Sequence, residues 1–198
     1  MRVKMIRLTD LHIAAQAASK CINLEFQGDI NDAANLLKRI RDRGHTSVLE
    51  HVVFSFDIDG ISRALLQELV RHRIASYSVQ STRWALKRIL DSDVPVQEHL
   101  VSTGDFEVDT LNAATLGAVL ALLRSRPTIR NDVLKYALPE AFRTSLVMTI
   151  NARSLMNMFT LRTSSRALAE FRELMQKIKE SMPSAVQELF DNIQPLES

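Results

Sequence analysis

Residues Arg71–Arg83 read RHRIASYSVQSTR. Three basic groups, Arg71, His72 and Arg73, open the stretch. Small and hydroxyl residues follow at Ala75, Ser76, Ser78, Ser81 and Thr82, and Arg83 closes it. An apolar helical pattern leads directly into it. Guanidinium forks, hydroxyls and backbone N–H groups at such short range are what a phosphate or nucleotide anion needs. On charge alone, a solvated basic turn has the same composition.

The chain has 198 residues, enough for one domain with a real core or for a protomer of an oligomer. Its 25 Lys and Arg against 23 Asp and Glu argue against bulk nucleic-acid binding, although the basic residues cluster locally. Cys21 is the only cysteine, which excludes a disulfide framework or a Cys-based zinc site within one chain and fits a reducing compartment. No apolar run is read as approaching a membrane span, and the N-terminus lacks the apolar core of a signal peptide. The expectation is a soluble cytoplasmic protein.

Outward from the basic stretch, Val3–Thr9 alternates and predicts a strand. Asp10 caps an alanine-rich helix over Leu11–Ser19. A second helix starts at Asp29 or Asn31, with Ala33, Leu36, Leu37 and Ile40 on one side, and ends at Gly44. Residues Gly44–His51 (GHTSVLEH) read as a polar loop before a strong strand, Val52–Ile58. Its His45 and His51 lack a third clear ligand, so no metal is expected. Gly60 is read as breaking the strand, with a helix over Ile61–Val70 placing Glu68 and Arg71 on one face. A short helix is expected over Trp84–Leu90, then a surface connection over Asp91–Asp105. Asp109–Arg124 predicts a helix apolar enough for a core or a subunit interface. Asp132–Leu138 is helical, and Ser145–Ile150 is strand or buried helix, which pattern cannot separate.

Asn151 caps a helix over Asn151–Arg162 (NARSLMNMFTLR). Arg153 and Asn157 share a face, while Arg162, nine residues after Arg153, projects from the opposite one. Two amphipathic helices follow, over Ala167–Lys179 and Pro183–Phe190, with Met175, Ile178 and Met182 as packing residues.

RHR, seven residues, then Ser resembles the signature of the flavin-dependent thymidylate synthases. Arg71, His72, Arg73 and Ser81 fill its fixed positions, and Arg83 falls where the family also has an arginine. A family segment of His, one residue, Thr or Ser, two residues and Glu-His is similar to His45, Ser47, Glu50 and His51. A third, N-A-R-S-L followed by Asn and Leu-Arg, is met by Asn151–Leu155, Asn157, Leu161 and Arg162.

The resemblance implies reductive methylation of dUMP to dTMP, with carbon from 5,10-methylenetetrahydrofolate and hydride from FAD reduced by NADPH, in a homotetramer. It implies FAD contacts from Ser47, Arg71, His72, Arg73, Asn151, Arg153 and Asn157, with His45 lining the same cavity. It implies dUMP contacts from Glu68, Arg71, Val79, Gln80, Ser81, Thr82, Arg83, Arg143 and Arg162, with Arg162 catalytic. The implied fold is α+β, a small mostly antiparallel sheet flanked by helices, in one domain over residues 1–198.

Methylating a pyrimidine at C5 requires electron density on that carbon. A cysteine nucleophile could supply it, but Cys21 has no recognisable activating partner. A guanidinium near N3 stabilises ring charge without a covalent bond. Ser81 lacks an Asp–His pair, so a hydroxyl donor to the nucleotide is its expected role.

The chain departs from the family at Glu68 (usually Gln), Val79 (frequently Glu), Ser145 (an arginine on the dUMP phosphate) and Arg166 (often His). Arg143, two residues before Ser145, is the expected replacement. Two rival readings stand beside the synthase. One is a nucleic-acid-binding module using RHR, Tyr77 and Trp84. The other is a family member that keeps FAD but has lost methyl transfer.

Overall fold

The structure, a computed structural model, describes residues 1–90 and 94–196. The first part of the expected 91–105 connection, residues 91–93, lies outside the described residues. The chain folds into two compact units. The first holds residues 1–58, 71–77 and 147–198; the second holds 59–70 and 78–146.

The elements run in order from β1 (Arg2–Leu8), α1 (Leu11–Lys20) and α2 (Ile30–Asp42) to a 3-10 turn at Thr46–His51. Then come β2 (Val53–Ser62), α3 (Arg63–Leu69), β3 (Ala75–Val79) and α4 (Thr82–Leu90). After a 3-10 turn at Val96–His99 follow α5 (Phe106–Ser125) and α6 (Asn131–Leu134) with its 3-10 extension to Ala137. The chain closes with β4 (Arg143–Asn151), α7 (Ala152–Arg162), α8 (Ala169–Glu180) and α9 (Ser184–Gln187). The strands form one antiparallel sheet in the order β1-β2-β4-β3, the α+β architecture expected.

In the first unit, alternation along β2 buries Phe54, Phe56 and Ile58 on one face. Met148 and Ile150 of β4 do the same, and Leu155 and Met158 of α7 and Phe171, Leu174, Met175 and Ile178 of α8 are buried in this unit. On the other face Ser55 and Thr149 hydroxyls bond at 2.8 Å. The α2 start is a capping box between Asp29 and Asp32, which selects Asp29 from the two starts the sequence offered. The second unit has its own core, built from Leu86 and Leu90 of α4, Leu116 and Val119 of α5, Leu134 and Phe142.

Several expectations are corrected. Gly44–His51 is not an open loop, because Thr46–His51 winds into a 3-10 turn. Gly60 does not break β2. It takes a φ of 77°, which glycine tolerates, and pairing continues to Ser62, whose hydroxyl then caps α3. The helix therefore starts at Arg63 and ends at Leu69, so Arg71 lies past its end rather than on Glu68's face. The run of small and hydroxyl residues within 71–83 contains a strand, β3, unforeseen because its alternation carries few large apolar residues.

The statement that no apolar run approaches a membrane span is also corrected. By length and composition α5 reaches that range, since Thr110–Leu123 contains no charged residue. Only Leu116 and Val119 of α5 are buried, and Phe106 is 85% and Leu111 67% exposed.

Candidate active site

The principal cavity, about 810 Å³, lies wholly in the first unit. One wall is the turn after α3, with Arg71, His72, Arg73 and Ile74. The other is the start and flank of α7, with Asn151, Arg153, Asn157 and Arg162, and Glu50 reaches in from the 3-10 turn. Tertiary folding thus joins two segments that the sequence separates by about 80 residues.

Local geometry fixes each wall. The Tyr77 hydroxyl donates to the His72 carbonyl at 2.9 Å, tying β3 back to the basic turn. Burial pushes the Tyr77 phenol up to about 12, so it stays a donor. The Asn151 side chain accepts from the Ser154 N–H at 2.8 Å and caps α7, and the Ala152 N–H donates to the Val52 carbonyl at 2.8 Å.

The charge balance is strongly positive. Arg71, Arg73, Arg153 and Arg162 face one carboxylate, Glu50, which takes a 2.6 Å bond from Arg153 Nη1. His72 adds no charge near neutrality. Burial first, and then the charge of Arg162, push its imidazole down to about 4. Arg162 Nε donates to His72 Nε2 at 3.0 Å, and its guanidinium lies 4.8 Å from the Phe171 ring centre. The expected opposition of Arg162 to Arg153 becomes one continuous arc of α7. Asn157, Leu161 and Ser154 fill the angles between them, so both ends face the same cavity.

Over residues 4–186 the sequence matches the family model described as thymidylate synthase complementing protein. It is 37% identical to the flavin-dependent thymidylate synthase of Helicobacter pylori strain J99 over 211 aligned positions, covering 97% of this chain and 98% of that one. The chain belongs to the flavin-dependent thymidylate synthase family.

Identity to the Wolinella succinogenes member of the flavin-dependent thymidylate synthases is 39%, over 96% and 97% of the two chains. The crystal structure of thymidylate synthase X from Helicobacter pylori with FAD and dUMP superposes with a TM-score of 0.88 at 36% identity, covering 98% of this chain and 99% of that one.

Of the residues singled out from the sequence, the cavity gathers Arg71, His72, Arg73, Asn151, Arg153, Asn157 and Arg162. Ser47 is exposed on the 3-10 turn and His45 precedes it; neither lines the cavity. Glu68, Val79, Gln80, Ser81, Thr82, Arg83 and Arg143 belong to the second unit. There Thr82 is buried at the start of α4, and the Gln80 N–H donates to the Ser145 carbonyl at 2.8 Å. Ser145, where the family has an arginine, donates to Asp59. Arg143 shares Ser145's strand face, and its Nε is buried with no partner among the described residues.

Sequence reasoning missed Ser154 and Leu161 among the lining residues, as well as Glu50, Ile74 and Ile150, and it missed Phe171, the buried ring against Arg162 and His72. The first two follow from helical spacing around Arg153 and Asn157. Phe171 left no local signal, because His72 lies far away in sequence and Arg162 lies on the preceding helix.

Proposed function

We propose that this chain catalyses the FAD-dependent reductive methylation of dUMP to dTMP, with 5,10-methylenetetrahydrofolate as carbon donor and NADPH as reductant. The observation that carries the reading is the cavity holding RHR and the Asn-x-Arg cap of α7 around four guanidiniums. That donor set fits a dinucleotide: arginines for the pyrophosphate, amides for a ring edge. Arg71, His72, Arg73, Asn151, Arg153 and Asn157 would hold FAD, with Ser47 as a further contact. When bound, FAD supplies the hydride chemistry.

The protein's own residues bind and polarise. His72, neutral and accepting from Arg162 Nε, sets the plane of that guanidinium, and Phe171 backs it. Arg162 then stabilises negative charge on the pyrimidine as C5 becomes nucleophilic. No enzyme nucleophile is needed. Cys21 is exposed at the end of α1 with its thiol turned to the Ala17 carbonyl, outside the cavity. Ser81, Thr82, Arg83 and the backbone from Val79 would hold the dUMP phosphate, with Arg143 in place of the family arginine at Ser145 and Glu68 on the sugar. The reading carries with it a homotetramer, testable by light scattering, and a cytoplasmic location, testable by cell fractionation.

One observation favours a second reading, in which FAD is kept and methyl transfer lost: Ser145 is bonded to Asp59 where a phosphate-binding cation is expected. Tritium release from dUMP labelled at C5 decides between them. Release that requires flavin and folate supports the synthase; none from folded, FAD-loaded protein supports the second reading.

A further inference from the structure

A second cavity, about 400 Å³, lies wholly in the second unit, against α4 and the segment before and through the start of α6. Its most prominent feature is Trp84, the protein's one tryptophan, 79% exposed. The Arg83 guanidinium lies over that ring, 5.5 Å from its centre. Lys87, one turn further along α4, donates to the Pro127 carbonyl at 2.7 Å.

Arg130 faces them and grips Asp132 through two bonds, at 3.1 and 2.5 Å. That grip, helped by the charges of Arg130 and Arg83, holds the Asp132 carboxyl below its usual range. Three cations therefore face one carboxylate already satisfied by Arg130. At the same wall the Asn131 side-chain oxygen is buried without a hydrogen-bond partner among the described residues. A buried acceptor of this kind calls for an N–H donor.

The cavity is not the expected dUMP phosphate site. Of the dUMP residues in the second unit only Arg83 lines it; Val79, Gln80, Ser81, Thr82, Glu68 and Arg143 do not. An exposed indole face, surplus positive charge and an unpaired amide oxygen together describe a ligand. It has an aromatic ring, at least two negative charges and an N–H group.

We propose that this cavity binds the aromatic, multiply anionic end of a co-substrate, with the ring on Trp84, the anions on Lys87 and Arg130, and an N–H on Asn131. The assignment rests on the methylation reading, because each co-substrate there carries such an end. NADPH has an adenosine 2′-phosphate with its 6-amino group. The folate has a p-aminobenzoyl-glutamate tail with its amide N–H.

The test is calorimetric titration of the FAD-loaded full-length protein, saturated with dUMP, with adenosine 2′-phosphate in one arm and p-aminobenzoyl-tri-γ-glutamate in the other. Inorganic phosphate at equal ionic strength is the control. One arm is expected to saturate, and its Kd to weaken about tenfold or more in Lys87→Ala/Arg130→Ala, with dUMP affinity unchanged. Lys87→Gln/Arg130→Gln serves if the alanine pair does not fold. The adenosine arm also quenches Trp84 emission, which no other tryptophan can mask.

The arm that saturates identifies the co-substrate. Neither arm binding, equal affinity in the variant, or binding no stronger than that of inorganic phosphate overturns the proposal. Wild-type protein that takes up neither FAD nor dUMP overturns the methylation reading instead. Both titrations remain readable without those ligands.

Discussion

Arg162 Nε donates to His72 Nε2 at 3.0 Å, so the imidazole carries its own proton on Nδ1 and stays neutral. Residues 90 positions apart thereby fix one another over the ring of Phe171, 5.9 Å from the imidazole and 4.8 Å from the guanidinium. Protonating His72 would set two cations against each other and remove the acceptor.

The pH dependence follows. His72 titrates near 6.5 when unfolded and is pushed down to about 4 in the fold. Between those values the unfolded chain takes up a proton that the folded one refuses. Stability is therefore complete above 6.5 and falls as pH drops toward 4. Melting temperature should fall more for the wild type than for His72→Gln between pH 7.5 and 4.5. Equal losses would show that His72 does not carry the effect.

Arg162→Ala should lower kcat by about a hundredfold to a thousandfold, the usual cost of removing one preorganised charge-stabilising donor. The far-UV circular dichroism should not change. Arg162→Lys should not restore activity, since a lysine has no planar Nε donor to offer His72. An alanine variant keeping more than a tenth of wild-type kcat would remove Arg162 from the mechanism.

The Arg153–Glu50 pair is short but half-exposed at both ends. Such pairs contribute under about 1 kcal/mol. Arg153→Ala should therefore leave denaturant stability nearly unchanged while weakening FAD retention about tenfold or more, read by gel filtration and flavin absorbance. A large stability loss with unchanged flavin content would make this arginine a purely structural one.

Asn151 has two roles that substitution can separate. It caps α7 through the Ser154 N–H, and it lines the cavity. Asn151→Ala should cost about 1 kcal/mol of stability and weaken flavin binding. Asn151→Asp keeps the cap, so it should melt near the wild type, yet it brings a negative charge to an anion site and should still bind flavin poorly. Normal flavin binding in the aspartate variant would confine Asn151 to capping.

Gly60 tests the corrected reading of β2. At a φ of 77° a Cβ costs about 1–2 kcal/mol. Gly60→Ala should therefore lower the unfolding free energy by that much, read as a lower urea midpoint with an unchanged slope. A midpoint shift near zero would mean the position relaxes to negative φ.

Local signals were enough for much of this protein. Caps at Asp10 and Asn151 place two helix starts and Asp29 or Asn31 brackets a third, because a side-chain acceptor two or three residues before free N–H groups acts within one turn. The RHR and N-A-R-S-L segments marked the site's two walls through their resemblance to the family's motifs; residue type alone fitted an anion site and a solvated basic turn equally. The path through Gly60, strand β3 and the choice of strand for Arg143–Asn151 needed the sheet, since pairing partners lie far away in sequence. Tertiary structure also decided that Arg153 and Arg162, on opposite sides of α7, open into one cavity. It seated His72 against Arg162 over Phe171 and so made the imidazole a neutral acceptor. Burial and proximity set those properties, and neither is a property of a residue's place in the chain.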